Sequence, residues 1–216
     1  MGKKFDVKQL VLLGVFAALA FVAVALIRIP AVAFLKYEPK DVIITIGGFI
    51  LGPLATVIIG LLVALIEMFT ISETGIIGCA MNLLSSCCYC TVAALVYRRK
   101  RTIGGAIGGL CLGSVAMVAV MLLWNWLITP LYMGVSREQV QGMLIPMFLP
   151  FNAVKALLNS ALVLCLYKPL ITGLRKTGLV PRHGASKGGF KIGIYLFAAA
   201  VLATGVLLLL VLQGKL

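Results

Sequence analysis

The stretch FLPFNAVKALLN, residues 148–159, opens an apolar segment that runs to about residue 171. This segment is long enough to cross a bilayer, for which a helix needs about 20 apolar residues. Asn152, Lys155 and Asn159 follow one another at i, i+3 and i+7, so a helix places them on one face. Because an ammonium in hydrocarbon costs at least about 2.5 kcal/mol, we expect Lys155 to point into protein, water or a ligand. A lysine that reaches the membrane interface, or pairs with a neighbouring helix, would give the same pattern.

The composition of the whole chain is that of an integral membrane protein. Hydrophobic residues make up 62% of the 216 positions, against roughly 45–50% in soluble proteins. Segments of this length and polarity predict an all-α fold. The formal charge of +13 would suggest nucleic acid in a soluble protein, but here the positive-inside rule explains it and no nucleic-acid partner is expected. The basic residues cluster between apolar segments, at Lys3, Lys4 and Lys8, at 98–101, and at Lys168, Arg175, Lys176, Arg182, Lys187 and Lys191.

Neither a metal site, a cofactor site nor a catalytic centre is indicated. The six cysteines lie in apolar runs, where cysteine acts as a small hydrophobe. The C-x-x-C within 87–90 has no second pair, and the single histidine, His183, lies in a basic linker. No serine adjoins a base and no phosphate loop is present, so the sequence does not predict an enzyme. Transport against a gradient would need energy from another subunit or from an ion.

The distribution of charge also sets the number of crossings. The first span runs from Leu10 to about Ile27, and with a cytoplasmic N-terminus it delivers a mixed loop, 28–40, to the outside. If 42–69 were one crossing, the basic cluster at 98–101 would lie outside, against the positive-inside rule. We therefore predict two helices hinged at Gly52-Pro53, the first so short that it must be tilted or sheltered. Asp41 is well placed to cap that first helix.

Four further spans follow. They are predicted at about 79–97, 103–129, 148–171 and 190–212, with a short helix in the loop 130–147 that starts at a capping box, Ser136 to Gln139. We divide the chain into a membrane domain at 1–176 with six helices, a basic cytoplasmic linker at 177–189, and an extra transmembrane helix within 190–216. This last span has no polar face.

The polar side chains of the spans gather in the outer half of the predicted bundle. They include Asn82, Asn125, Thr129, Asn152 and Lys155, whereas Glu67 is predicted to be interfacial. Amides, one ammonium and aromatic rings suit a planar, heteroaromatic, polyhydroxylated solute. For each asparagine the alternative is a hydrogen bond between helices, and for at least one tryptophan it is the aromatic belt. The aromatic residues are Tyr37, Trp124, Trp126, Tyr132, Phe148 and Phe151.

Several short motifs stand in a characteristic order along the chain. They are FLKYEPKD (34–41), FILGP (49–53), TG (74–75) followed by MN (81–82), WNWLITPLYMG (124–134) and PFNAVK (150–155). Together they resemble the riboflavin-specific substrate-binding subunits (S components, RibU) of energy-coupling factor (ECF) transporters, over about residues 5–176. The resemblance implies a six-helix, multi-pass subunit of the bacterial cytoplasmic membrane, with a cytoplasmic N-terminus, that captures riboflavin outside and delivers it for ATP-driven uptake.

The resemblance also assigns roles to residues. Asn125, Asn152 and Lys155 match positions that hydrogen-bond the flavin, and the loop around Leu35 and Tyr37 closes over it as a lid formed by 34–41.

Partners are implied as well. Gly14 and Ala18, four residues apart on the first span, correspond to the surface that docks the transmembrane coupling subunit EcfT; such small residues also serve ordinary packing within a bundle. Gly14 departs from the family's usual alanine there. Two ATPase subunits would power uptake, and membrane lipids surround the chain. The seventh span departs from the family's six helices.

Three rival functions remain open from the sequence. An S component for a different vitamin would keep the architecture, an ion-coupled carrier would act alone, and an intramembrane enzyme would need an acid–base pair that the sequence does not show.

Overall fold

The structure is a computed structural model that describes residues 6–32, 35–72, 75–176 and 192–215. Helices dominate this part of the chain, as predicted, and six helical segments are long and apolar enough to cross a membrane. The predicted linker at 177–189, residues 190 and 191 of the last predicted span, and Phe34 of the predicted lid lie outside the described residues. These six candidate spans are Val7–Leu26, Pro53–Thr70, Gly75–Arg99, Ile103–Met133, Arg137–Leu170 and Tyr195–Leu212.

Helix α1, Val7–Leu26, begins three residues earlier than predicted because Asp6 caps it. Asp6 and Gln9 form a reciprocal capping box, which satisfies amides that have no partner within the helix. One face of α1 is buried against the bundle, whereas Gly14 and Ala18 lie on the exposed face. A Cβ added at Gly14 would meet nothing within 4 Å. Both small residues are therefore open to a partner, and the predicted docking role stays a prediction.

The outer loop 28–40 contains a short β-hairpin, which the sequence analysis did not predict. Strands β1 (Ile29–Val32) and β2 (Leu35–Tyr37) pair antiparallel, with Ile29 opposite Tyr37. Strands of three or four residues leave little sequence signal, and proline within β1 weakens it further.

The predicted pair of helices after this loop is confirmed. Helix α2 (Lys40–Leu51) and helix α3 (Pro53–Thr70) meet at Gly52, whose φ of 105° favours glycine, and Pro53 starts α3. Most of α2 is buried, which fits the expectation of a sheltered short helix. The capping prediction is wrong: α2 has no side-chain cap, and Asp41 lies inside its first turn.

The next two spans pack closely through glycine. Helix α4 (Gly75–Ser86), a π-helical turn (Cys87–Thr91) and helix α5 (Val92–Arg99) form one continuous span. Helix α6 (Ile103–Met133) places Gly109 so close to this span that an added Cβ would lie 2.7 Å from the Ala93 carbonyl oxygen. Helix α6 also continues one turn past Pro130, the predicted boundary, and ends at Gly134 with φ of 65°.

The last helices stand side by side. The predicted capping box at Ser136 is present and starts helix α7 (Arg137–Met143), which a second π-helical turn (Leu144–Phe148) joins to helix α8 (Leu149–Lys176). Helix α9 (Ile192–Leu212) packs along α8: a Cβ added at Gly205 would lie 2.7 Å from Cδ2 of Leu158. The bundle thus contains α9 as an integral neighbour of the opening stretch.

Candidate ligand-binding cavity

A cavity opens between the hairpin, α4, α6 and the start of α8. The volume of the cavity is about 120 Å³, several times the roughly 10–15 Å³ that one water molecule needs. An organic molecule of many atoms is therefore the appropriate scale of ligand. The cavity is lined by Arg28, Leu35, Lys36, Glu38, Ser72, Ile77, Gly78, Met81, Asn82, Ser85, Met121, Trp124, Asn125, Ile128, Thr129, Tyr132, Phe151, Asn152 and Lys155.

Most of the predicted site residues meet at this cavity. Of the seven, six line it: Leu35, Asn82, Asn125, Thr129, Asn152 and Lys155. Tyr37 does not line the cavity; this last residue of β2 is buried, and its hydroxyl donates to Asn159 Oδ1 at 3.0 Å. Burial, together with the Asp41 carboxylate, raises the pKa of Tyr37 above its ordinary value, so the phenol remains a neutral donor. Tyr37 supports the cavity from beneath.

The polar face predicted for the opening stretch exists and has two levels. Asn152 and Lys155 lie in the first turns of α8 and line the cavity, whereas Asn159 is fully buried one turn deeper. Lys155 is buried and pairs with a neighbouring helix: its ammonium lies 3.4 Å from Asp41 Oδ2 and 3.4 Å from Ser85 Oγ. Both contacts are long for a charged group, so the ammonium retains capacity to donate toward the cavity.

Asp41 organises the floor beneath Lys155. Its carboxylate is fully buried and accepts hydrogen bonds from Ser86 Oγ at 2.5 Å and Asn159 Nδ2 at 3.4 Å. A buried carboxylate needs such partners because desolvation is otherwise too costly. This explains why Asp41 does not cap α2: its side chain ties α2 to α4 and α8.

The amide side chains are held by their own helices. Asn125 Nδ2 donates to the Met121 carbonyl oxygen at 2.6 Å, Thr129 Oγ1 donates to Asn125 Oδ1 at 2.9 Å, and Asn152 Nδ2 donates to the Phe148 carbonyl oxygen at 2.8 Å. Each amide nitrogen has a second hydrogen, and Asn152 Oδ1 accepts no hydrogen bond from the part of the chain that the structure describes. The bonds within each helix fix these amides at the cavity wall.

A second ionic cluster closes the side of the cavity next to the hairpin. The Lys40 ammonium, almost fully buried, lies 2.7 and 2.8 Å from the two carboxylate oxygens of Glu67 and 3.0 Å from Glu38. Asn82 Nδ2 donates to Glu67 at 2.9 Å, and Arg28 Nε donates to Glu38 at 3.0 Å. Glu67, which was predicted to be interfacial, lies in the last turn of α3 and is 1% exposed, with its carboxylate paired to Lys40.

The charge on Glu38 is held by its neighbours. Burial alone would raise its pKa, but the ammonium of Lys40, with smaller contributions from Lys155 and Arg28, lowers the pKa of Glu38 below its ordinary value. Glu38 therefore remains a carboxylate that anchors the hairpin through two cations.

The aromatic residues separate into two groups. Trp124, Tyr132 and Phe151 line the cavity. Trp126 is exposed on the bundle surface, with the Arg137 guanidinium 5.8 Å from its ring centroid. That position suits the aromatic belt expected for one of the two tryptophans.

Several polar wall residues were not predicted as site residues, among them Arg28, Glu38 and Ser85. A signal existed for Ser85, which follows Asn82 by three residues and so shares its helix face. Arg28 and Glu38 occupy an outer loop, where the positive-inside rule predicts few basic residues. A basic residue at that position indicates a specific role such as an ion pair.

The comparisons with known proteins agree with this architecture. A family model described as the substrate-specific component of ECF transporters matches residues 8–167. The riboflavin transporter RibU of Staphylococcus aureus (strain TCH60) is 25% identical over 179 residues, which cover 78% of this chain and 93% of that protein. A solved structure described as the S component of a bacterial ECF transporter is 26% identical, with a TM-score of 0.66 over 78% of this chain and 98% of that chain. Since the family match spans well over half of the sequence, the chain belongs to the substrate-specific components of ECF transporters, a family of membrane transport subunits rather than enzymes.

Proposed function

We propose that this subunit captures riboflavin in the cavity between the hairpin, α4, α6 and α8, and presents it for ATP-driven uptake. The observation that carries the proposal is the juxtaposition of Asn152, Lys155 and Asn125 with aromatic walls in one cavity. The similarity to a riboflavin transporter over most of the chain supports the same ligand.

The charge balance around the cavity favours a neutral ligand. Among the residues that the structure describes, the ion pairs around the cavity comprise three acids and three bases: Glu38, Asp41 and Glu67 against Arg28, Lys40 and Lys155. Lys36, which also lines the cavity, has interactions of its own. A ligand with net charge would need a surplus of the opposite sign among these groups, because a buried unpaired charge is costly. Riboflavin is uncharged near neutral pH, whereas thiamin is a cation and biotin and folate are anions.

The wall groups match the polar edge of an isoalloxazine ring. That edge alternates carbonyl and ring-nitrogen acceptors with an imide N–H donor. Lys155 and the second amide hydrogens of Asn125 and Asn152 supply donors, and Asn152 Oδ1 supplies an acceptor for the imide N–H. The rings of Trp124 and Phe151 contribute apolar surface for the tricycle.

Uptake in this proposal uses an EcfT-type coupling subunit and two ATPase subunits. The chain lies in the bacterial cytoplasmic membrane with its N-terminus in the cytoplasm, and riboflavin is its cargo, not a cofactor. The exposed face of α1 with Gly14 and Ala18 is the proposed docking surface for EcfT, because small residues let a partner helix approach closely. Leu35, Tyr37 and their neighbours in 34–41 would form the lid.

The ligand is tested by fluorescence titration of purified protein. Micromolar riboflavin is expected to lose its fluorescence on binding, with thiamin, biotin and folate failing to compete. Lys155→Ala should weaken binding about tenfold or more, since a hydrogen bond from a charged group contributes about 1.5–3 kcal/mol. Asn152→Ala should weaken it about two- to tenfold, since a hydrogen bond between neutral groups contributes about 0.5–1.5 kcal/mol. Lys176→Ala, an exposed lysine of the same helix, is the matched control.

Two results would overturn the proposal. Direct binding of a charged vitamin, together with no binding of riboflavin, would assign another ligand to the same architecture. Riboflavin uptake into vesicles that contain this subunit but no ATPase would instead favour the ion-coupled carrier.

A further inference from the structure

Helix α9 lies beyond the region that matches the family, which ends at residue 167, yet it contacts the hairpin that walls the cavity. A bland span with no polar face predicts a helix that merely faces lipid. The structure places one face of α9 against protein. Ala198 and Leu209 are 0% and 6% exposed, whereas residues of the opposite face such as Leu207 and Leu208 are about half exposed.

Two contacts join α9 to the outer loop. The side-chain amide of Gln213, just after the helix, donates to the Pro30 carbonyl oxygen in β1. Leu209 belongs to a buried apolar cluster that also contains Ala31, Leu35 and Tyr37. Leu158 of α8, which lies close to Gly205 of α9, belongs to the same cluster.

The hairpin needs such support. A two-stranded hairpin is marginally stable by itself, and these strands have only four and three residues. The same segment contributes Leu35, Lys36 and Glu38 to the cavity wall. Whatever holds the hairpin therefore also sets how well that wall is formed.

We propose that α9 acts as a strap: Leu209 and Gln213 are positioning residues that fasten the hairpin over the cavity and slow the escape of ligand. The ligand readout of this inference rests on the proposed riboflavin function, whereas the hairpin readout does not. Neither residue touches the cavity, so both act through the backbone of β1 and its neighbours.

The experiment uses the full-length protein in detergent or nanodiscs. Two quantities are measured: hydrogen–deuterium exchange at the backbone amides of β1 and β2, and the rate of riboflavin dissociation after rapid dilution. Leu209→Ala removes the apolar contact, and Gln213→Glu replaces the donor by an acceptor at a half-buried position where folding is not at risk. Leu208→Ala, next in sequence and 43% exposed, is the matched control.

We expect both test variants to exchange faster in the hairpin and to release riboflavin about three to ten times faster, with the control unchanged. Equal effects in Leu208→Ala, or no change in hairpin exchange, would overturn the strap. Faster exchange with an unaltered dissociation rate would overturn the positioning role and leave only structural support. If the wild type binds no riboflavin, the proposed function fails, and hairpin exchange alone decides the inference.

Discussion

Replacing Glu67 by glutamine tests whether the ionic cluster beside the cavity stabilises the fold. In the wild type the Lys40 ammonium has carboxylate oxygens at 2.7, 2.8 and 3.0 Å, two from Glu67 and one from Glu38. Removing one partner of a buried ion pair costs about 3–5 kcal/mol. Because Glu38 still contacts Lys40, we take the lower end, about 3 kcal/mol, which corresponds to a Tm lower by about 6–12 °C in a chain of this size.

The assay is thermal unfolding of purified protein followed by tryptophan fluorescence, with Glu138→Gln on the exposed surface of α7 as the matched control. The double variant Lys40→Met/Glu67→Leu separates the effect of an unpaired buried charge from that of altered packing. Replacing both partners of a buried ion pair by apolar side chains of similar size often leaves the stability unchanged. It should recover most of the lost stability, since Glu38 then keeps Arg28. A Tm for Glu67→Gln equal to that of Glu138→Gln, or a double variant as unstable as the single one, would refute the reasoning.

Three further perturbations follow from the structure. A Cβ at Gly48 would lie 2.1 Å from Thr56 Cγ2, and two hydrogen bonds hold the Thr56 hydroxyl in place. Gly48→Ala should therefore lower the free energy of unfolding by about 1–3 kcal/mol. The control Gly60→Ala, where the nearest atom is 3.9 Å from the added Cβ, should leave that free energy unchanged or raise it by up to about 1 kcal/mol. The pKa of Glu38 in the folded state lies below its ordinary 4.5, so its contribution to stability is complete above pH 4.5 and is lost as the pH falls through the folded-state pKa. Glu38→Gln should lower the Tm at neutral pH and make the decrease of Tm with acid shallower. Parallel plots of Tm against pH for the variant and the wild type would contradict this. Gly14→Phe should leave riboflavin affinity unchanged but abolish copurification with EcfT, and an intact complex would reject the α1 docking surface.

The sequence alone predicted those features of the structure that depend on residues close together in one segment of the chain. The face formed by Asn152, Lys155 and Asn159 follows from helical periodicity, which does not depend on neighbours. The break at Gly52-Pro53 also followed from local chemistry together with charge sidedness. Both features were confirmed.

The sequence alone did not predict ion pairs and hydrogen bonds between side chains that lie far apart along the chain. Glu67 and Lys40 are 27 residues apart, so no local pattern indicates that they pair. Asp41 satisfies the local rule for a helix cap, but the bonds to Ser86 and Asn159, supplied by distant helices, outweigh it. An acid within an apolar span indicates a buried partner by default, and this signal was available for Glu67.

The burial of α2 and the construction of the cavity depend on the same ion pairs. A helix of twelve residues with Lys40 and Asp41 in its first turn could not be buried with those charges unpaired. Glu67 of α3 neutralises the lysine, and Lys155 of α8 neutralises the aspartate. These contacts also place Lys155 and Glu38 at the cavity wall. Variants of the ionic groups should therefore change stability and ligand affinity together, whereas Asn152→Ala, whose only bond within the described chain is to its own helix, should change affinity alone.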